Sequence, residues 1–308
     1  MNDRTVGSGG SEGLRRLSTE QADDRYGGLD RLSTLELVEE MNRADATVPA
    51  AVGEALPDVA AAIEAIAARL EAGGRLFYFG AGSAGRMAVM DAAECPPTFS
   101  TPPETVQAVL AGGERAMTGA LEGAEDDTDA AREAVEARGI GAGDAVVGVS
   151  ASGRTPFVVA ALRAACERGA ATVGLSCNVA TPVSEAAERA IEVPVGPEVI
   201  AGSTRLKSAT AQKLVLNMIS TAAMVRLGRT YGTYMVDMRV LNSKLAARAV
   251  NMVSDICGVP EDEAEAALEK SGDRVKTAVV MLMFGLGPEQ ADARLEEAGG
   301  HLSRLLGS

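Results

Sequence analysis

Apolar residues first acquire a helical rhythm at "LSTLELVEEMNRAD", residues 32–45, where Leu35, Leu37, Val38 and Met41 form a stripe. Ser33 and Glu36 in the same stretch have the S-x-x-E spacing of a capping box. A second helical stretch, residues 51–72, brings Leu56, Val59, Ile63, Ile66 and Leu70 near one face, and the Gly73-Gly74 pair ends it. Residues 1–28 mix Gly, Ser and charge without apolar periodicity and are expected to form a mobile tail.

From residue 75 the pattern alternates. Short apolar runs at 75–79, 105–111, 145–150, 171–177 and 190–195 read as strands. Helical stretches from about 83, from about 116, at 156–169, after 177 and at 207–228 separate or follow them. Continuous apolar strands alternating with helices predict a parallel sheet covered on both faces, an open α/β/α sandwich. Ligands of such a sheet bind outside the carboxyl ends of the strands. Beyond residue 240 no strand-like run occurs; Gly258, Gly272 and Gly285 punctuate short helical segments that predict a small all-helical bundle. The expected organisation is a tail (1–28), an α/β domain (29–244) and a helical bundle (245–308), with Met281 and Met283 in the bundle core.

Composition narrows the function. A chain of 308 residues has room for two domains. Its net charge of −14 disfavours a nucleic-acid backbone as partner, and 3% aromatic residues with no Trp leave little material for stacking platforms. Cys95, Cys166, Cys177 and Cys257 form no C-x-x-C pair, which fits neither a zinc site nor a disulfide framework and suits a reducing compartment. His301 is the only histidine, so no histidine cluster for a metal exists, and a packing or surface role is expected for it. No stretch has the length and apolarity of a membrane span, and the protein is expected to be cytoplasmic.

Three segments rich in Gly, Ser and Thr stand where a strand or loop gives way to a helix: "GAGSAGR" (80–86), "SASGRT" (150–155) and "AGSTRLKSATAQK" (201–213). Unpartnered N–H groups and the helix dipole make such turns anion sites. Gly80, Gly82 and Gly85 have the G-x-G-x-x-G spacing of dinucleotide folds. The acidic residue such folds carry about 20 positions later has only Glu114 to answer it, about 29 residues on and behind a Gly pair. Several hydroxyl-bearing loops suit a single phosphomonoester better. Its candidate ligands are Gly82, Ser83, Ser150, Ser152, Gly153, Thr155 and Ser203, with Arg154 and Lys207 supplying charge, while Glu198 could accept from a sugar hydroxyl.

Together with "DAAECPPTF", "EGAEDD" and "TVGLSCN", these segments resemble the N-acetylmuramic acid 6-phosphate etherases of the sugar isomerase (SIS) fold superfamily. The resemblance implies a cofactor-independent carbon–oxygen lyase that releases D-lactate from the 3-ether of the phosphorylated amino sugar, leaving N-acetylglucosamine 6-phosphate. It also implies a homodimer and a small C-terminal helical domain similar to ubiquitin-associated domains. The family's first loop reads G-x-G-T-S-G-R, whereas this chain has Ser83 and then Ala84, one hydroxyl fewer.

The family's two catalytic glutamates fall on Glu94 and Glu125, with Glu94 the proton donor by resemblance. The residues alone leave the division of roles open, and Glu125, among Glu122, Asp126 and Asp127, reads by itself as part of a solvated acidic face. Glu94 stands just before Cys95 and a Pro96-Pro97 pair expected to stop its helix. Two other readings fit the same loops. A sugar-phosphate-sensing SIS regulator would bind without turnover, and an aldose–ketose isomerase would abstract the C2 proton with no leaving group.

Overall fold

The computed structural model describes residues 17–240 and 242–307. Residues 1–16 of the expected tail lie outside this range. The chain divides into two compact units, one comprising residues up to Ala92 with Val106–Ile219, the other Ala93–Thr105 with the residues from Ser220 on.

The first unit opens on three single-turn 3-10 helices at Ser18–Glu20, Asp24–Tyr26 and Leu29–Arg31. Residues 17–28 of the expected tail are thus folded, with Ser18 and Thr19 held on the unit by hydrogen bonds to Asn178 and Gly202 rather than by an apolar stripe. Helix α1 (Thr34–Asp45) starts at the expected capping box: Ser33 Oγ accepts from the Glu36 N–H, and the Glu36 carboxylate accepts from the Ser33 N–H at 2.8 Å. Its apolar stripe does not enter the core, since Leu35 is 66% and Val38 50% exposed. The single helix expected over 51–72 is two, α2 (Val48–Glu54) and α3 (Leu56–Glu71), which meet at Ala55. Pro57 fits in the first turn of α3, where its missing N–H leaves no bond unmade.

Five parallel strands follow: β1 (Leu76–Gly80), β2 (Val106–Leu110), β3 (Ala145–Ser150), β4 (Ala171–Ser176) and β5 (Arg189–Glu192), in the order β2-β1-β3-β4-β5. β5 stops short of the expected run, two residues before Pro194, which has no N–H for a ladder. The helices between them are α4 (Gly82–Phe99), the short α5 (Arg115–Thr118), α6 (Thr128–Ala137), α7 (Pro156–Glu167) and α8 (Pro182–Glu185), with α9 (Lys207–Arg226) after β5.

Side chains on β1 alternate between faces. Phe77 and Phe79 join a buried cluster with Val135 of α6 and Phe157 and Leu162 of α7. Tyr78, out of phase with them, donates its hydroxyl to Asp91 of α4 at 3.0 Å, and Asn217 of α9 donates to the other Asp91 oxygen at 2.7 Å. Asp91 is buried, so three elements are pinned at one polar point.

In the second unit α10 (Ser243–Cys257), α11 (Glu261–Ser271), α12 (Val275–Phe284), α13 (Pro288–Glu297) and α14 (Leu302–Leu306) enclose Met252, Val253, Leu268, Val279, Val280 and Leu302. Gly258, Gly272 and Gly285 end α10, α11 and α12 in left-handed conformation. Met281 is in this core, whereas Met283, expected beside it, is 46% exposed because two residues along a helix turn through about 200°. His301 packs against Gly228, where any Cβ would come 2.6 Å from its ring.

Candidate active site

In the order 2-1-3-4-5 the chain reverses its winding between β1 and β3, and the crevice at the carboxyl ends of those strands is where such a sheet takes a ligand. Gly80 is in register with Val149, so the loops after β1 and β3 flank this point directly.

The first loop explains its glycines by packing. A Cβ on Gly80 would come 2.8 Å from Gly85 Cα, and one on Gly85 would overlap Leu110 and approach the Gly80 carbonyl at 2.7 Å. The first and third glycines therefore let α4 close onto β1 and β2, while Gly82, at φ 54°, makes the turn between strand and helix. Glu114, the only candidate for a ribose contact, is exposed at the start of α5. Ser83 is half-buried in the first turn of α4, and its hydroxyl has no partner among the described residues. Ala84, where the hydroxyl is missing, is buried.

The second loop is wired internally. Ser150 Oγ lies 2.7 Å from Thr155 Oγ1 and 3.4 Å from Ser152 Oγ, and accepts the Gly153 N–H at 3.1 Å. Ser152 Oγ accepts the Arg154 N–H at 3.2 Å. Gly153, at φ 72°, overlaps Thr181 if given a Cβ, so only glycine allows this approach. Thr155 precedes α7 without capping it, which leaves the positive end of that helix open toward the loop. Arg154 is exposed and forms no ion pair among the described residues.

The third loop divides its candidates. Ser203 is half-exposed, with its hydroxyl unpartnered among the described residues. Glu198, 1% exposed, accepts from the N–H groups of Lys207 and Ser208, both at 2.9 Å, and from Ser208 Oγ at 2.7 Å. Its carboxylate caps α9 and takes the anion position there that a phosphate would need. Lys207 is also buried, its Nζ donating to the Val195 carbonyl at 2.6 Å. Burial pushes its ammonium below the ordinary lysine value, against the pull of Glu198. Both residues are thus tied up in the buried first turn of α9. Cys177, just beyond β4, donates its thiol to the Ser208 carbonyl at 3.7 Å; burial pushes its pKa up to about 12.

Glu125 is exposed in a 3-10 turn, Ala124–Asp126, entered through Gly123 at φ 79°. Asp127 next to it caps α6 by accepting the Ala130 N–H at 2.9 Å. Glu94 is exposed on α4. Its helix does not stop at Pro96-Pro97 but runs on to Phe99; each proline forfeits only its own N–H bond to the carbonyl four residues back, and the helix closes two residues later. Glu94 belongs to the second compact unit and Glu125 to the first.

Two supporting residues escaped the sequence reading. Asp91 fixes α4 one turn before Glu94. Arg86 donates to the carbonyls of Ala116, Met117 and Gly119 at 2.8–3.1 Å, holding the segment that leads to Glu125. Arg86 closes the glycine motif, but nothing in the sequence points a motif arginine at carbonyls 30 residues on.

Fold and loops together define a sugar isomerase (SIS)-type α/β domain followed by a helical unit. The SIS domain family matches residues 129–222, the N-terminal SIS domain of glucokinase regulatory protein residues 58–166, and the C-terminal lid domain of that protein residues 232–278. A phosphoheptose isomerase from Francisella tularensis shares the fold at TM-score 0.51 and 18% identity, over 63% of this chain and 100% of that one. The N-acetylmuramic acid 6-phosphate etherase of Rubrobacter xylanophilus is 52% identical over 96% of this chain and 98% of its own, and that of Streptomyces coelicolor 51% over 94% and 93%. The chain belongs to the N-acetylmuramic acid 6-phosphate etherase family, a family of carbon–oxygen lyases.

Proposed function

We propose that this chain cleaves the D-lactyl ether of N-acetylmuramic acid 6-phosphate by elimination and rehydration. The reading is carried by near-full-length identity of about one half to named etherases, on a sheet whose β1/β3 switch point is flanked by Ser83 and the Ser150–Thr155 loop. These loops, with Ser203, supply hydroxyls, backbone N–H groups and the open end of α7 to the 6-phosphate, and Gly82 and Gly153 give the backbone its close approach. Exposed Arg154 supplies positive charge beside this loop. Glu198 and Lys207 serve by fixing the start of α9.

In the open-chain sugar the C1 aldehyde acidifies the C2 proton. One carboxylate removes it, the C2–H electron pair forms the C2=C3 bond, and the C3–O bond breaks. The departing lactyl oxygen takes a proton from the second group, Glu94 by family resemblance, with Glu125 as the base. Water then adds its hydroxyl at C3 and a proton at C2, giving N-acetylglucosamine 6-phosphate. Chemistry of this kind needs one ionised and one protonated carboxyl when substrate is bound.

A homodimer in the cytoplasm fits this reading. The exposed stripe of Leu35 and Val38 on α1 supports a subunit contact, since an apolar helix face left in water is what association covers. No helix among the described residues is long and apolar enough to cross a membrane.

The test is D-lactate release from N-acetylmuramic acid 6-phosphate by the purified protein. Lactate from the wild type and none from Glu94→Gln supports the lyase. Binding of the sugar phosphate without lactate would favour the regulator that the matched glucokinase regulatory domains suggest.

A further inference from the structure

The segment Leu17–Glu20 has no apolar pattern to anchor it, yet Thr19 is fully buried. Its surroundings show why. Asn178, 4% exposed and two residues beyond β4, uses both amide hydrogens, one to Thr19 Oγ1 at 3.0 Å and one to the Ala151 carbonyl at 3.1 Å. Its Oδ1 accepts from the Ser18 N–H and from Ser18 Oγ, both at 2.9 Å. The orientation of the amide is fixed by chemistry, because a backbone N–H can only donate and must face the oxygen. The Thr19 carbonyl then accepts the Gly202 N–H at 3.1 Å. Gly202 stands at φ 76°, and a Cβ there would come 3.1 Å from the Glu20 carboxylate.

These bonds run from one hydroxyl loop to another. Ala151 lies between Ser150 and Ser152, and its carbonyl accepts both Asn178 Nδ2 and the Cys177 N–H. Gly202 lies next to Ser203. We propose that Leu17–Glu20 is a strap, with Thr19 and Asn178 as positioning residues that hold the Ser150–Thr155 loop and the Ser203 loop at one spacing for the phosphate. The proposal rests on the phosphate-site reading above and adds the segment that sets its geometry. Neither residue touches substrate. Their effect is to keep the loop donors preorganised, so that binding energy is not spent on ordering them.

The experiment measures KM and kcat for D-lactate release, and calorimetric binding of N-acetylglucosamine 6-phosphate, for wild type, Thr19→Val, Thr19→Ser and Asn178→Ala, with melting temperatures alongside. Thr19→Val and Asn178→Ala are expected to raise KM and weaken product binding about tenfold or more while kcat falls less; Thr19→Ser, which keeps the hydroxyl, restores both. Variants that only melt earlier, with KM and product affinity unchanged well below their melting temperature, overturn the strap. If Asn178→Ala does not fold, the Thr19→Val and Thr19→Ser pair decides alone. Absence of lactate from the wild type would sink the etherase reading and leave the product-binding comparison to judge the strap.

Discussion

The two ends of the same parallel sheet are built on opposite terms. At the amino end the charged groups are paired to saturation. Arg75, just before β1, donates to both oxygens of Asp144, just before β3, at 2.9 and 3.0 Å, and to the carbonyls of Arg138 and Gly139. Asp144 also accepts the N–H groups of Arg75 and Gly141, both at 3.1 Å. At the carboxyl end Ser83 and Ser203 keep unpartnered hydroxyls among the described residues, and Arg154 stands in solvent. The amino end commits its polar groups to distant segments, whereas at the carboxyl end the Ser150–Thr155 loop bonds mainly within itself and Ser83, Ser203 and Arg154 are left to solvent. Substitutions at one end should therefore move stability and at the other activity.

The largest effect is expected from Glu125→Gln, in the segment that follows the carboxyl end of β2. Loss of a proton-transfer group should lower lactate release about 10³-fold, with the melting temperature unchanged because the side chain is exposed. Asp144→Ala should do the reverse. It leaves a half-buried guanidinium and two N–H groups without their acceptor, lowering unfolding free energy by about 2–3 kcal/mol in urea titrations, with KM unchanged. An altered KM in that variant would break the division between the two ends.

Ser152→Ala should raise KM about tenfold, the order of one hydrogen bond to a charged group, and leave the urea midpoint in place. The smallest effect is on pH dependence. Burial pushes the Asp144 carboxyl up, but the Arg75 guanidinium and the Gly141 N–H outweigh it and hold the pKa below the ordinary aspartate value. A lowered folded-state pKa contributes stability that is complete above the unfolded value, about 3.9, and lost as pH falls through the folded one. Asp144→Asn should accordingly flatten the unfolding free energy below about pH 4; an unchanged acid slope would assign it to other carboxylates.

The same contrast separates what could be read along the chain from what could not. Strand and helix alternation, the Ser33–Glu36 box and the glycine ends of α10, α11 and α12 were legible because each depends on residues within about four positions of one another. The hydroxyl loops were legible for the same reason, since a strand-to-helix turn exposes its donors locally. Where a residue's surroundings come from distant segments, local pattern carries no signal of them. Residues 17–28 carry no apolar signal, and only the approach of Asn178, some 160 positions away, makes Thr19 a buried anchor. Glu198 and Lys207 sit in a ligand-like segment, yet the first turn of α9 is buried and claims both.

Read alone, the chain's pattern established the α/β class and the helical C-terminal unit, and it located three Gly-, Ser- and Thr-rich turns. The folded chain alone shows that Gly80 and Gly85 serve helix-on-strand packing, that Asp91 joins β1, α4 and α9, that Arg86 holds the Ala116–Gly119 segment, and that Glu198 caps α9. The reason is physical: periodicity and turn chemistry are local properties of a chain, whereas burial and hydrogen-bond partnership are settled between segments far apart in sequence that meet only when the sheet has formed.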